Sequence, residues 1–162
     1  MVHYYRFHEI IRSISIALGM LGKNDFFLLE SDVSERSIAH KLAEYFQIQF
    51  PDWNVDCEYN RKGLEPKSLH GIRECAGHEE SDLVVPDIIV HLRNSQNNLL
   101  VIELKKKRLS KQCDFKKLEL FTDTKGDYKY ILGLFIEFED GSPKLTWFRN
   151  GIALASSLKG PL

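Results

Sequence analysis

Residues 84–105 read VVPDIIVHLRNSQNNLLVIELK and contain two hydrophobic runs with a polar turn between them. Both runs are rich in β-branched residues, as strands are, and residues 93–98 between them are polar. We therefore predict a β-hairpin whose turn is centred near Ser95 and Gln96. Antiparallel pairing then brings Asp87 opposite residues 103–105, because positions equidistant from the turn face each other.

The predicted hairpin gathers charged side chains at one point of the sheet. Glu103 and Lys105 are two residues apart, so they share a face of their strand, near Asp87. Two neighbouring carboxylates repel and desolvate each other unless a cation or a proton lies between them. We therefore predict a divalent metal here. The alternative is structural: Pro86 and Asp87 can simply open an edge strand, and Glu103 and Lys105 can be an exposed polar stripe.

The rest of the chain predicts an α/β sandwich, in which helices pack against a mixed sheet. Helical spacing of apolar residues predicts helices over residues 3–20, 34–50 and 110–122. Strand patterns outside the hairpin cover residues 53–60, 128–138 and 144–148. Gly19 and Gly22 are expected to end the first helix, and residues 61–81 to form a long polar loop. We expect one domain over residues 1–162, with a helical extension at 1–30 and a core at 34–150.

Glu35 lies on the apolar stripe of the second predicted helix. The positions three, four, seven and eleven residues further on are Ile38, Ala39, Leu42 and Phe46. The Glu35 carboxylate is therefore expected to point toward the sheet, where it could join the charged site. It could equally form a variant capping box with Asp32 and benefit from the helix dipole.

A local concentration of positive charge follows the hairpin, although the net charge of the 162-residue chain is only −1. Candidate contacts to a phosphate backbone are Lys106, Lys107, Arg108, Lys111 and Lys117. The alternative is a solvated helix face whose lysines serve solubility. The position directly after the carboxylate hairpin favours phosphate binding.

The remaining sequence signals concern compartment and zinc. Three cysteines, far apart and without a CxxC pair, argue against a disulfide framework and fit the reducing cytoplasm. The first helix carries charged residues throughout, so we expect neither a membrane span nor a secretion signal. A zinc site is a minor alternative to a decorated surface loop, and its ligands would be Cys57, His70, Cys75 and His78.

The residues Pro86-Asp87 and Glu103-Leu104-Lys105 resemble the signature of the PD-(D/E)XK nuclease superfamily, and the resemblance spans about residues 34–138. The runs DCEYNR at 56–61, PDIIVH at 86–91 and NLLVIELK at 98–105 also look like small members of that superfamily whose substrate is not established. A restriction-endonuclease-like fold is thus expected. The chain lacks an obvious target-recognition domain, which affects sequence specificity more than catalysis.

The resemblance implies a metal-dependent nuclease that hydrolyses phosphodiester bonds, most plausibly a DNA endonuclease. Asp87, Glu103 and the Leu104 carbonyl would bind Mg²⁺, with Mn²⁺ as an alternative, and Glu35 would hold the same ion through water or a second ion. Lys105 would orient the attacking water and stabilise transition-state charge. Lys117, and less clearly Asp114, match a polar position on the following helix.

Two other functions remain open at this stage. The chain could be a non-catalytic nucleic-acid-binding or protein-interaction module on the same fold, or it could be an RNase, since metal-assisted phosphodiester chemistry does not distinguish the sugars. A homodimer is a further open arrangement. His40 and His91 are interpreted as surface or structural residues, because neither lies near the predicted carboxylates.

Overall fold

The structure, a computed structural model, describes residues 4–31, 33–59, 61–62, 65–66, 69, 84–106, 110–139 and 142–154. These residues form a mixed α/β architecture with helices on both faces of a sheet. The helices are α1 (Phe7–Asn24), α2 (Phe26–Glu30), α3 (Glu35–Gln49) and α4 (Gln112–Thr122). No helix in these ranges is long and apolar enough to cross a membrane.

The strands form a six-stranded sheet and a separate two-stranded one. They are β1 (Asn54–Cys57), β2 (Arg61–Lys62), β3 (Glu65–Pro66), β4 (Ile88–His91), β5 (Asn98–Lys106), β6 (Leu132–Glu139), β7 (Ser142–Arg149) and β8 (Ile152–Ala153). The large sheet has the order β1-β4-β5-β6-β7-β8, and β2 pairs with β3. Of the strand pairs in the described ranges, β5 and β6 alone run parallel, because α4 carries the chain across the sheet between them.

The predicted hairpin is confirmed as the β4–β5 pair. Ile88 is paired with Ile102 and Ile89 with Val101, and the register shifts between Val90 and His91. This shift is a β-bulge, which lets one strand absorb an extra residue. Ile88 directly follows Asp87, so the pairing leaves Asp87 beside Glu103, as predicted.

Both faces of β5 are covered, which explains why its sequence is a continuous hydrophobic run. Ile88, Leu100 and Ile102 pack on one face with α1 and α3. Ile89 and Val101 point to the other face, where they pack with α4. The strand is therefore held between two hydrophobic layers, and charged side chains on its last residues sit at the rim of a rigid core.

The first helix differs from its prediction at both ends. It begins at Phe7 and continues through Gly19 and Gly22 to Asn24, so the glycines do not end it. A Cβ atom at either glycine would have nothing within 4 Å, and each glycine costs the helix roughly 1 kcal/mol. Burial of Ala17, Leu18 and Leu21 on the flanking positions offsets that cost, and the helix continues.

Other differences lie at the ends of elements. Residues 128–131 precede β6 instead of belonging to it, and α2 and β8 were not predicted. In the predicted loop at 61–81, the described residues include β2 and β3, and most of the remainder lies outside the described ranges. The second and third helices and the other strands are found within a few residues of their predicted bounds.

Candidate functional site

Asp87 lies at the start of β4, held by the neighbouring strand. Its Oδ2 accepts a hydrogen bond from the main-chain N–H of Leu104 at 2.8 Å, and its carbonyl accepts one from Glu58 at 3.1 Å. Burial raises the pKa of Asp87; the Leu104 N–H and the Lys117 charge oppose that rise without cancelling it. The carboxylate is therefore fixed in position but poorly compensated for its loss of water.

Glu103 is the most deeply buried acid of the site, with 2 % of its surface exposed. Its Oε2 lies 3.3 Å from the ammonium of Lys117, while Oε1 is buried and has no hydrogen-bond partner among the described residues. Burial and the nearby Asp87 carboxylate raise the pKa of Glu103 well above its usual value, although Lys117 opposes this. One oxygen of this carboxylate therefore lacks any compensation for being removed from water.

Helix α4 contributes an acid and a base to the same point. Asp114 and Lys117 are three residues apart on one face, and their Oδ1 and Nζ atoms are 3.5 Å apart. Asp114 is only 5 % exposed, and its Oδ2 lies 3.4 Å from the ammonium of Lys105. Asp114 thus links the two lysines.

Glu35 reaches the site from the opposite face of the sheet. It is the first residue of α3, and its Oε1 accepts a hydrogen bond from the main-chain N–H of Lys106 at 2.9 Å. Its Oε2 lies 4.0 Å from the ammonium of Lys105. The predicted orientation toward the sheet is confirmed. The N-cap is Ser34, whose side chain accepts from Ser37, and Asp32 lies outside the described residues.

The basic stretch is divided by the structure. Lys107 and Arg108 lie outside the described residues. The ammonium of Lys106 donates to the Ser31 carbonyl at 2.8 Å, and that of Lys111 lies 3.2 Å from Glu137. Lys117 points into the carboxylate site and is 21 % exposed. In this structure the described lysines that were predicted to contact phosphate, Lys106, Lys111 and Lys117, therefore interact with other groups of the protein.

The histidines lie where the sequence predicted them. His40 is an exposed residue of α3 next to Glu44. His91 is buried and hydrogen-bonded to Asp56 at 2.8 Å. Asp56 also accepts from the guanidinium of Arg93, so His91 belongs to a structural network at the far end of the sheet.

The cysteines partly contradict the sequence expectation. Cys113, on the first turn of α4, is disulfide-bonded, whereas the number and spacing of cysteines argued against disulfides. Spacing along the chain does not report which residues the fold brings together, which is why it misses such a pair. Cys57 is free and its thiol lies 3.7 Å from the Ala39 carbonyl; the other candidate zinc ligands, His70, Cys75 and His78, lie outside the described residues.

The acids do not form a closed metal cage. Within the described ranges, no three His, Cys, Asp or Glu side chains are grouped closely enough to hold a metal ion. Lysines separate the acids instead: Lys117 lies between Glu103 and Asp114, and Lys105 between Asp114 and Glu35. Glu103 Oε1 is buried and accepts no hydrogen bond from the described residues.

Sequence reasoning underestimated α4. From the sequence, Asp114 was only a less clear match than Lys117 to the polar position on this helix. The signal was present, because Leu118 and Phe121 follow Asp114 by four and seven residues and are fully buried. Residues at that spacing share a helix face, so Asp114 had to face the sheet as well.

The chain matches no protein-family model, and a search of curated proteins finds no match either.

Proposed function

We propose that this chain is a metal-dependent nuclease of the PD-(D/E)XK type, with DNA as its first expected substrate. The mixed sheet flanked by helices is compatible with a restriction-endonuclease-like fold, and the proposal includes that fold. The support comes from one site, in which two carboxylates meet where β4 begins and β5 approaches its end.

One observation carries the proposal: the buried Glu103 oxygen without a partner beside Asp87. A buried, unsatisfied carboxylate destabilises a protein unless it is protonated or a cation compensates it. The pKa of Asp87 is raised by burial as well, so both acids lack compensation at the same place. A bound cation would satisfy both.

The charge of the site fits a divalent ion. Four carboxylates contribute, from Glu35, Asp87, Glu103 and Asp114, against two ammonium groups, from Lys105 and Lys117. When all four acids are ionised, as a bound cation would favour, the excess of two negative charges equals the charge of one Mg²⁺ or Mn²⁺. Asp87, Glu103 and the Leu104 carbonyl would hold the ion, with Glu35 reaching it through water, and few protein ligands suit Mg²⁺, which retains several waters.

A divalent ion bound there would polarise a phosphodiester and make a water molecule more acidic. The chain's own contribution is Lys105, whose side chain is 25 % exposed and therefore accessible to substrate. Its ammonium would orient the attacking water and stabilise negative charge on the phosphate. The water oxygen bonds to phosphorus and gives up a proton, the bond from phosphorus to the leaving oxygen breaks, and that oxygen takes a proton.

Nucleic acid would be held by the basic residues that connect β5 to α4. Lys106, Lys107, Arg108 and Lys111 follow the site directly, so a phosphate backbone bound by them would pass across the carboxylates. For Lys106 and Lys111 this contact requires exchange of the Ser31 carbonyl and the Glu137 carboxylate for phosphate oxygens.

The test is cleavage of single- and double-stranded DNA and RNA by the purified chain with Mg²⁺ or Mn²⁺. We expect cutting that EDTA abolishes and that Asp87→Asn and Glu103→Gln each remove. Lys105→Met should lose cleavage but keep metal binding, as measured by calorimetry. Glu44→Gln is the matched control, since Glu44 is half exposed on α3 and, within the described part of the chain, forms its ion pairs with His40 and Lys41.

The arms of this experiment separate the candidate functions. Cleavage of RNA alone would replace the DNA substrate with RNA. Tight nucleic-acid binding without cleavage, unaffected by Asp87→Asn, would refute the nuclease and establish a binding module. Full activity in Asp87→Asn and Glu103→Gln would refute the role of these carboxylates in cleavage.

A further inference from the structure

We infer that Lys117 is the internal counter-ion of the carboxylate site, and that a divalent metal must displace its ammonium from Glu103 in order to bind. Lys117 would then set the metal affinity of the protein. The second half of this inference, the displacement of Lys117 by a metal ion, rests on the proposed function. Its first half, the pairing of Lys117 with Glu103 in the metal-free protein, does not depend on any activity.

The geometry assigns this role to Lys117 and not to Lys105. Among the described residues, Lys117 is the side chain that forms a hydrogen bond and ion pair with Glu103, at 3.3 Å, and it is the less exposed of the two lysines. Lys105 is directed to Asp114 and Glu35 and has no contact with Glu103 within the described ranges. The two lysines therefore serve different acids of the same site.

A metal ion and the Lys117 ammonium compete for the same carboxylate. Both are cations, and both would lie within about 4 Å of Glu103, so in a buried site their repulsion is strong. Metal binding at Glu103 would therefore move the ammonium away. Loss of the ammonium without metal would leave Glu103 as an uncompensated buried acid.

Asp114 offers the displaced ammonium a second partner. Its Oδ1 already lies 3.5 Å from the Lys117 Nζ, and it comes from the same helix, one turn earlier. The flexible lysine stem can shift its head group toward Asp114 without unfolding α4. The site thus keeps Lys117 neutralised in both states, so displacement does not leave the lysine without a counter-charge.

The experiment compares Lys117→Met with Lys116→Met, its neighbour on the outer face of α4, which is half exposed and pairs with Glu119. Two quantities are measured for each variant: the unfolding temperature in metal-free buffer and the Kd for Mn²⁺ by calorimetry. Lys117→Met should unfold at lower temperature without metal. It should bind Mn²⁺ roughly tenfold or more tightly, because a like charge is removed from the ion's site. Lys116→Met should match the parent in both.

Two further variants keep the inference testable. Lys117→Gln removes the charge but retains a hydrogen-bond donor, so it provides a folded substitute if Lys117→Met is too unstable. Glu103→Gln combined with Lys117→Met removes both charges, and should recover metal-free stability that the single lysine variant loses.

The outcomes distinguish the inference from the proposed function. Failure of every variant and the parent to bind Mg²⁺ or Mn²⁺ would overturn the proposed function, and the displacement with it. Metal binding by the parent that is unchanged or weaker in both Lys117 variants would overturn the displacement alone. Unchanged metal-free stability in Lys117→Met would overturn the counter-ion role.

Discussion

Gly133 on β6 is a place where the sheet allows α4 to approach closely. A Cβ atom added there would lie 3.0 Å from the Cβ of Phe148 and 3.1 Å from the Cγ2 of Thr122. Carbon atoms pack favourably at about 3.5–4.0 Å, so Gly133→Ala forces neighbours apart. Overpacking of this kind costs about 1–3 kcal/mol, which in a chain of this size lowers the unfolding temperature by about 2–12 °C.

The assay is thermal and urea unfolding of Gly133→Ala, alone and combined with Thr122→Ser. Serine lacks the Cγ2 atom but keeps the hydroxyl, which in Thr122 donates to the Leu118 carbonyl at 2.8 Å. The serine variant should therefore relieve part of the strain. We expect a favourable coupling between the two changes of about 0.5–1.5 kcal/mol, within the range found for residues in contact.

Gly19→Ala provides a control of opposite sign. Gly19 lies inside α1, and a Cβ there would have no neighbour within 4 Å, so alanine should stabilise the protein by roughly 0.5–1 kcal/mol. A Gly133→Ala protein as stable as the parent, or one that Thr122→Ser does not rescue, would refute the close packing of α4 on β6. The placement of Asp114 and Lys117 over the sheet depends on that packing.

Two further predictions concern titration. Burial alone would raise the pKa of Asp56, but hydrogen bonds from Arg93 and His91 outweigh it, so the pKa is lowered in the folded protein. The ionised Asp56 therefore stabilises the fold at pH values above its unfolded pKa of about 3.9. This stabilisation is lost as the pH falls through the lower pKa of the folded state. Asp56→Asn should therefore flatten the acid side of a urea-midpoint profile, and an unchanged slope would contradict this. Burial, with smaller effects of Glu58 and Asp56, raises the pKa of Cys57 from 9.0 to about 11. At pH 8 the folded protein therefore has about 100-fold less Cys57 thiolate than the unfolded chain. Alkylation of Cys57, measured by mass spectrometry, should be far slower in the folded protein than in urea, and equal rates would contradict the burial of the thiol.

The hairpin and the second predicted helix could be read from the sequence because their signals are local. Two hydrophobic runs and the polar turn between them specify which residues of β4 and β5 face each other, and this placed Asp87 beside Glu103. Ser34 marks the start of α3, and the stripe that follows Glu35 predicted correctly that its carboxylate turns toward the sheet. These predictions needed only spacing counted from one turn or one cap.

The other features depend on packing between distant segments. Gly19 and Gly22 were expected to end α1, but the helix continues because its apolar stripe is buried. The Asp114–Lys117 pair has the spacing of any exposed helix pair. Spacing alone does not show that this pair is covered by the sheet, nor that Glu103 is the ion-pair partner of Lys117. Lys117 was predicted both as a nucleic-acid contact and as the polar residue that this helix adds to the site, and its ammonium lies against an acid of the site.

Asp56 and Glu103 lie on the same face of the sheet, but their pKa values are shifted in opposite directions, which burial alone does not explain. Asp56 is partly buried beside Arg93 and His91, which donate hydrogen bonds to it, and its pKa is lowered. Glu103 is fully buried, its pKa is raised, and one of its oxygens has no donor among the described residues. At Asp56 the fold thus supplies donors that outweigh the effect of burial on the pKa. Incomplete compensation at Glu103, next to Asp87 and to a lysine that can move, therefore supports a site that takes up a cation from solution.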